Sequence, residues 1–116
     1  MSLKRLHPSK RMSQGVLRGH TLFLAGQVAE KAEGCSVAEQ TREILARIDA
    51  LLAEAGTDKT RIMMATIYLA DIATFAEMNS VWDTWVVEGE TPARATVEAR
   101  LVAPEYKVEI AVVAAV

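Results

Sequence analysis

The chain has 116 residues, 51% of them hydrophobic, which is the size of one globular domain able to bury a core. Aromatic residues make up only 5%, so that core is expected to be aliphatic and rich in alanine. A formal charge of -2 leaves no basic footprint for nucleic acid, and no secretory leader or membrane-length apolar run is evident, so a cytoplasmic protein is expected.

Leu3 to His7 reads as a short edge strand and Pro8-Ser9-Lys10 as the turn after it. Gly15 to Arg18 and Thr21 to Ala25 read as two strands joined at Gly19-His20, a spacing that suits a tight hairpin. Gly26 ends the second strand, either as a tight exit or as an exposed backbone N–H facing a ligand. Glu30 to Cys35 form a polar loop. Cys35 stands alone in the chain, which excludes an internal disulfide, and without a nearby histidine it reads as a free surface thiol. His7 and His20 are too few and too far apart to suggest a metal site or a histidine-based triad.

Ser36 and Glu39 predict a capping box. The apolar residues Val37, Ile44, Leu45, Ile48, Leu51 and Leu52 then recur at helical spacing until Gly56. Arg61 to Leu69 reads as a central strand, apolar on both faces apart from Thr66 and Tyr68. Thr74 and Glu77 predict a second capping box, opening a helix in which Phe75, Met78, Val81, Trp82 and Trp85 share a face up to Val86. Thr91 to Leu101 and Lys107 to Val116 read as the last two strands, joined by a link from Val102 to Tyr106. In the last strand Val108, Ile110, Val112 and Ala114 alternate with Glu109, Ala111, Val113 and Ala115, and Glu109 is the only charged side chain after Lys107. A carboxylate in an apolar strand costs several kcal/mol to bury unless something pairs with it or solvates it, so it implies a partner or a cavity. Arg94, two residues past Pro92, is placed either as a carboxylate receptor or as a salt-bridge partner of Glu98, Glu109 or another subunit.

No repeat or linker divides the chain, so residues 1–116 are expected to form one α+β domain: a mixed β-sheet with two helices packed on one face. Two helices leave the second apolar sheet face without cover, and such a patch predicts self-assembly.

Pro92-Ala93-Arg94-Ala95-Thr96-Val97-Glu98 with Lys107-Val108-Glu109-Ile110 resembles the C-terminal signature of the RidA/YjgF/UK114 family of enamine/imine deaminases. Gln14-Gly15-Val16 and Leu24-Ala25-Gly26-Gln27-Val28 resemble its other signature, so the likeness spans nearly the whole chain. It implies a chorismate mutase-like fold and a homotrimer in which three sheets close around a central β-barrel, with an active site in each subunit cleft. It also implies an enzyme needing no cofactor or metal, which hydrolyses 2-imino or enamino acids to 2-keto acids and ammonia. By position, Arg94 matches the arginine that holds the substrate carboxylate and Glu109 the glutamate that positions the attacking water. Gly26 matches a backbone contact near the imine and Asn79 a helix asparagine lining the cleft. Met12 stands where the family has a tyrosine and Thr96 where a cysteine is frequent; both are expected to line the substrate site. The alternatives are a non-catalytic small-molecule binder, an endoribonuclease or translation inhibitor, and, on fold likeness alone, a chorismate mutase. The acidic balance and the absence of a histidine pair argue against the ribonuclease, and neither a nucleic acid nor a membrane partner is expected.

Overall fold

The computed structural model describes residues 2–116, which form eight principal elements. These are β1 (Lys4–Leu6), β2 (Gly15–Arg18), β3 (Thr21–Leu24), α1 (Val37–Glu54), β4 (Ile62–Leu69), α2 (Phe75–Trp85), β5 (Ala93–Glu98) and β6 (Val108–Ala115). Their order is the one expected from periodicity. The strands make one sheet in the order β1-β2-β3-β6-β4-β5, antiparallel except for β4 and β5. A parallel pair needs a crossover, and α2 supplies it.

Alternation along β6 separates two environments. Val108, Ile110, Val112 and Ala114 are buried beneath the helices with Ala65, Ile67 and Leu69 of β4 and Leu22 and Leu24 of β3. From the helices, Ile44, Ile48 and Leu52 of α1 and Met78, Val81 and Trp82 of α2 complete this single core. The opposite face, with Ala111, Val113 and Ala115 half-buried and Phe23 53% and Val97 43% exposed, has no covering layer among the described residues.

At the start of α1 the expected box forms: the Ser36 hydroxyl accepts from Glu39 N–H, and the Glu39 carboxylate accepts from Ser36 N–H. The chain leaves α1 through Gly56 at φ +85°, a conformation a side chain would strain. The second box does not form. Thr74 makes no side-chain cap, its hydroxyl donating to the Asp71 carbonyl, while the Asp71 carboxylate caps a short 3₁₀ turn, Ile72–Thr74, by accepting from Ala73 N–H. Glu77 reaches instead to the other helix and accepts from Ala38 N–H at 2.8 Å. The last two strands are also shorter than expected, because their outer residues turn into the connecting segments.

Buried Gln40 on α1 ties the helix to two loops. Its amide donates to the carbonyls of Ala32, Cys35 and Glu105 and accepts from Lys107 N–H, which fixes the entry to β6 immediately before Glu109.

Candidate functional site

Arg94 is the second residue of β5, paired with Ala65 of β4, which in turn pairs with Val112 of β6. Side chains directly opposite one another share a face, so Arg94 points to the helix-covered side of the sheet. There α2 presents Phe75, Asn79 and Trp82 at spacings of four and three residues, on one helix face. The Arg94 Nη1 donates to Asn79 Oδ1 at 2.7 Å, and the guanidinium carbon lies 5.6 Å from the Phe75 ring centroid and 5.3 Å from that of Trp82. A guanidinium over an aromatic face is attracted by the ring quadrupole, so the two rings and the amide together restrict the fork. Among the described residues no carboxylate lies within ion-pair distance of it. Neither Glu98, whose carboxylate accepts from Ile72 N–H, nor Glu109 is its partner. Thr96, also on the helix side, has a buried hydroxyl with no hydrogen-bond partner.

Glu109 belongs to the uncovered face, where it pairs in register with Tyr68 of β4. Its carboxylate leans the other way, onto Gly26 beyond the end of β3, and a Cβ added at Gly26 would overlap it. Close approach to the Glu109 carboxylate thus accounts for a glycine here, an arrangement that neither the tight exit nor the ligand-facing N–H describes. The approach is enforced by Gln27, whose N–H and C=O exchange hydrogen bonds with Ile110 at 2.8 and 3.0 Å. The buried Gln27 amide donates to Gln14 Oε1 and to the Ala25 carbonyl, so the two glutamines of the N-terminal motifs act as one brace. Gln27 stands in an N-terminal signature motif, but Gln40 carries no sequence signal beyond its type, since a glutamine on an apolar face announces a partner without naming it.

The expected site residues therefore fall into two groups on opposite faces of one sheet: Arg94, Asn79 and Thr96 towards α2, Glu109 and Gly26 on the uncovered side. Met12 belongs to neither group by contact; it lies 46% exposed in the loop after β1, where its N–H and C=O close a turn on the Ser9 hydroxyl. The most pronounced concavities described lie elsewhere. One of about 610 Å³ is walled by the segment between β5 and β6, and another by His7, Gln14, Gln27, Arg47, Leu51 and Glu54 among others. No single chain thus brings Arg94 and Glu109 around one small molecule.

The family described as endoribonuclease L-PSP matches residues 2–116. A RutC family protein of Haemophilus influenzae is 43% identical over 98% of both chains, and RutC family protein YoaB of Escherichia coli K12 is 47% identical over the full length of both. Among solved structures, a YjgF family member from Neisseria meningitidis superposes with a TM-score of 0.95 at 48% identity, covering 99% of this chain and 95% of its own. One from Salmonella typhimurium, described as a putative translation initiation inhibitor, gives 0.91 at 47% identity over 99% and 98%.

Proposed function

Since the chain belongs to the YjgF/UK114, or endoribonuclease L-PSP, family, we propose that it hydrolyses 2-imino acids to 2-keto acids and ammonia in a cleft between two copies of itself, Arg94 coming from one copy and Glu109 from the next. The observation that carries this is the state of Arg94: an oriented, half-buried guanidinium whose only polar partner among the described residues is the neutral Asn79 amide. Such a cation is kept for an anion from outside, and its planar fork suits a carboxylate. A 2-imino acid presents that carboxylate next to an electrophilic C=N. With the carboxylate held, Glu109 accepts a proton from the water that adds to the imine carbon, and orientation plus one activated water suffices for the reaction. In this arrangement Asn79 acts on the substrate through Arg94.

The test is a coupled assay in which an amino acid oxidase or a dehydratase generates the imino acid and release of the keto acid is followed with and without the protein. Acceleration supports the reading; equal rates at saturating protein remove it. Met12, a thioether where the family resemblance implies a phenol, favours a second reading as a non-catalytic binder of the same carboxylates, which would appear as keto acid binding without acceleration.

A further inference from the structure

Tyr68 and Glu109 are directly opposite one another on β4 and β6, on the uncovered sheet face, and neither side chain has a hydrogen-bond partner among the described residues. Directly paired residues have Cβ atoms about 4.5–5.5 Å apart, within reach of one small molecule. The two groups do not bond each other, because the carboxylate leans across β6 onto Gly26, away from β4. Phenol and carboxylate are therefore an unbonded pair on one sheet face, one a donor and the other an acceptor. On the other side of Tyr68 the paired residue of β5 is the apolar Val97, so Glu109 is its one titratable cross-strand neighbour. The Met12 side chain has no donor to offer in its place, the thioether being only a weak acceptor.

We propose that Tyr68 is a further catalytic residue of the reaction described above, on whose assignment to Glu109 this rests: its hydroxyl donates the proton that the imine nitrogen takes up as water adds. In the addition, the water oxygen bonds to the imine carbon, one water proton passes to the Glu109 carboxylate, and the C=N π pair moves to nitrogen, which takes the Tyr68 proton. In the breakdown of the resulting carbinolamine, protonated Glu109 returns its proton to nitrogen, the C–N bond breaks with its pair leaving on ammonia, and the hydroxyl proton returns to the Tyr68 oxygen as the carbonyl forms. Both side chains end in their starting states.

Tyr68→Phe removes only the hydroxyl and keeps the ring in the sheet. With Glu109→Gln and Arg94→Ala as reference variants, kcat and KM for an enzymatically generated 2-imino acid are measured across pH, and binding of the corresponding 2-keto acid by calorimetry. The expected result for Tyr68→Phe is a kcat lower by roughly 100-fold at neutral pH, the scale of a lost general acid, with KM and keto acid binding unchanged. The deficit should narrow as pH falls, because an imine that arrives protonated needs no donor. A wild-type kcat in Tyr68→Phe overturns the assignment, as does a pH-independent loss accompanied by weaker keto acid binding, which is the mark of a packing role. Hydrolysis that needs Arg94 and Glu109 but not Tyr68 removes this inference alone; absence of hydrolysis in the wild type, or full activity in both reference variants, removes the imine reading with it.

Discussion

Arg94 and Gly26 have opposite chemistry and the same dependence on their surroundings. Arg94 is set by α2, where Asn79 accepts a hydrogen bond from Nη1 and the guanidinium carbon lies over the Phe75 and Trp82 rings. Arg94→Ala is expected to lower kcat/KM for imine hydrolysis by about 10- to 100-fold, the loss of a charge-assisted hydrogen bond of roughly 1.5–3 kcal/mol, while the chain stays folded. Arg94→Lys should recover only part of this, since an ammonium reproduces neither the planar fork nor its fit between two rings. A variant that unfolds at lower denaturant yet keeps its activity per folded molecule would make Arg94 a structural residue. Gly26 supplies a test of the other half-site. In Gly26→Ala the new methyl occupies the position of the Glu109 carboxylate, which must swing away. Because a carboxylate is the free end of a flexible side chain, stability should change little while kcat falls; a wild-type rate would show that Glu109 acts from another position or does not act.

At the scale of elements, periodicity and local chemistry carried most of the fold. All eight elements were legible in order from the periodicity of their apolar residues, and so were the Gly56 stop and the Ser36 box, whose hydrogen bonds join residues three apart. Thr74 and Glu77 satisfy the same pattern and fail, since the nearby Asp71 caps the turn before α2 and Glu77 finds the Ala38 N–H thirty-nine residues away. The division of the site was illegible for a related reason. β5 and β6 are consecutive in sequence, but β4 lies between them in the sheet, so whether Arg94 and Glu109 share a face depends on two registers set by non-local pairing. Ser36→Ala should lower stability by about 1 kcal/mol in denaturant titration at fixed protein concentration. The same box has a pH signature. Hydrogen bonds from the Ser36 backbone and side chain hold the Glu39 carboxyl below its ordinary value of 4.5, so its contribution is complete above that pH and is lost as pH falls through the lower folded value. The acid decline in stability should therefore be shallower in Glu39→Gln; an identical pH profile would separate the cap from the titration.

For the whole molecule, charge and apolar surface point to the same mode of assembly. Residues 2–29 contain five Lys or Arg and no Asp or Glu, and all fifteen acidic residues follow them. Those residues build β1 to β3, one edge of the sheet, while the opposite edge strand β5 is approached through Glu88 and Glu90. Unlike edges of opposite charge favour a head-to-tail contact, which closes into a ring when the rotation permits, over a self-complementary dimer. A ring would also cover the sheet face that the helices leave bare, with Phe23 and Val97 turned inwards, and the proposed shared cleft would lie where the β5 edge carrying Arg94 meets the bare face of the next copy. We therefore expect a homotrimer by light scattering at micromolar concentration. Phe23→Glu, placed on the bare face and outside the core beneath the helices, should yield monomers that keep their helical signal and lose imine hydrolysis. Mixing Arg94→Ala with Glu109→Gln protein under conditions that exchange subunits should restore activity, because mixed rings contain clefts in which both residues are intact. Failure of that complementation between trimers shown to exchange would mean that the two residues serve different sites, and a monomer fully active in hydrolysis would remove the shared cleft altogether.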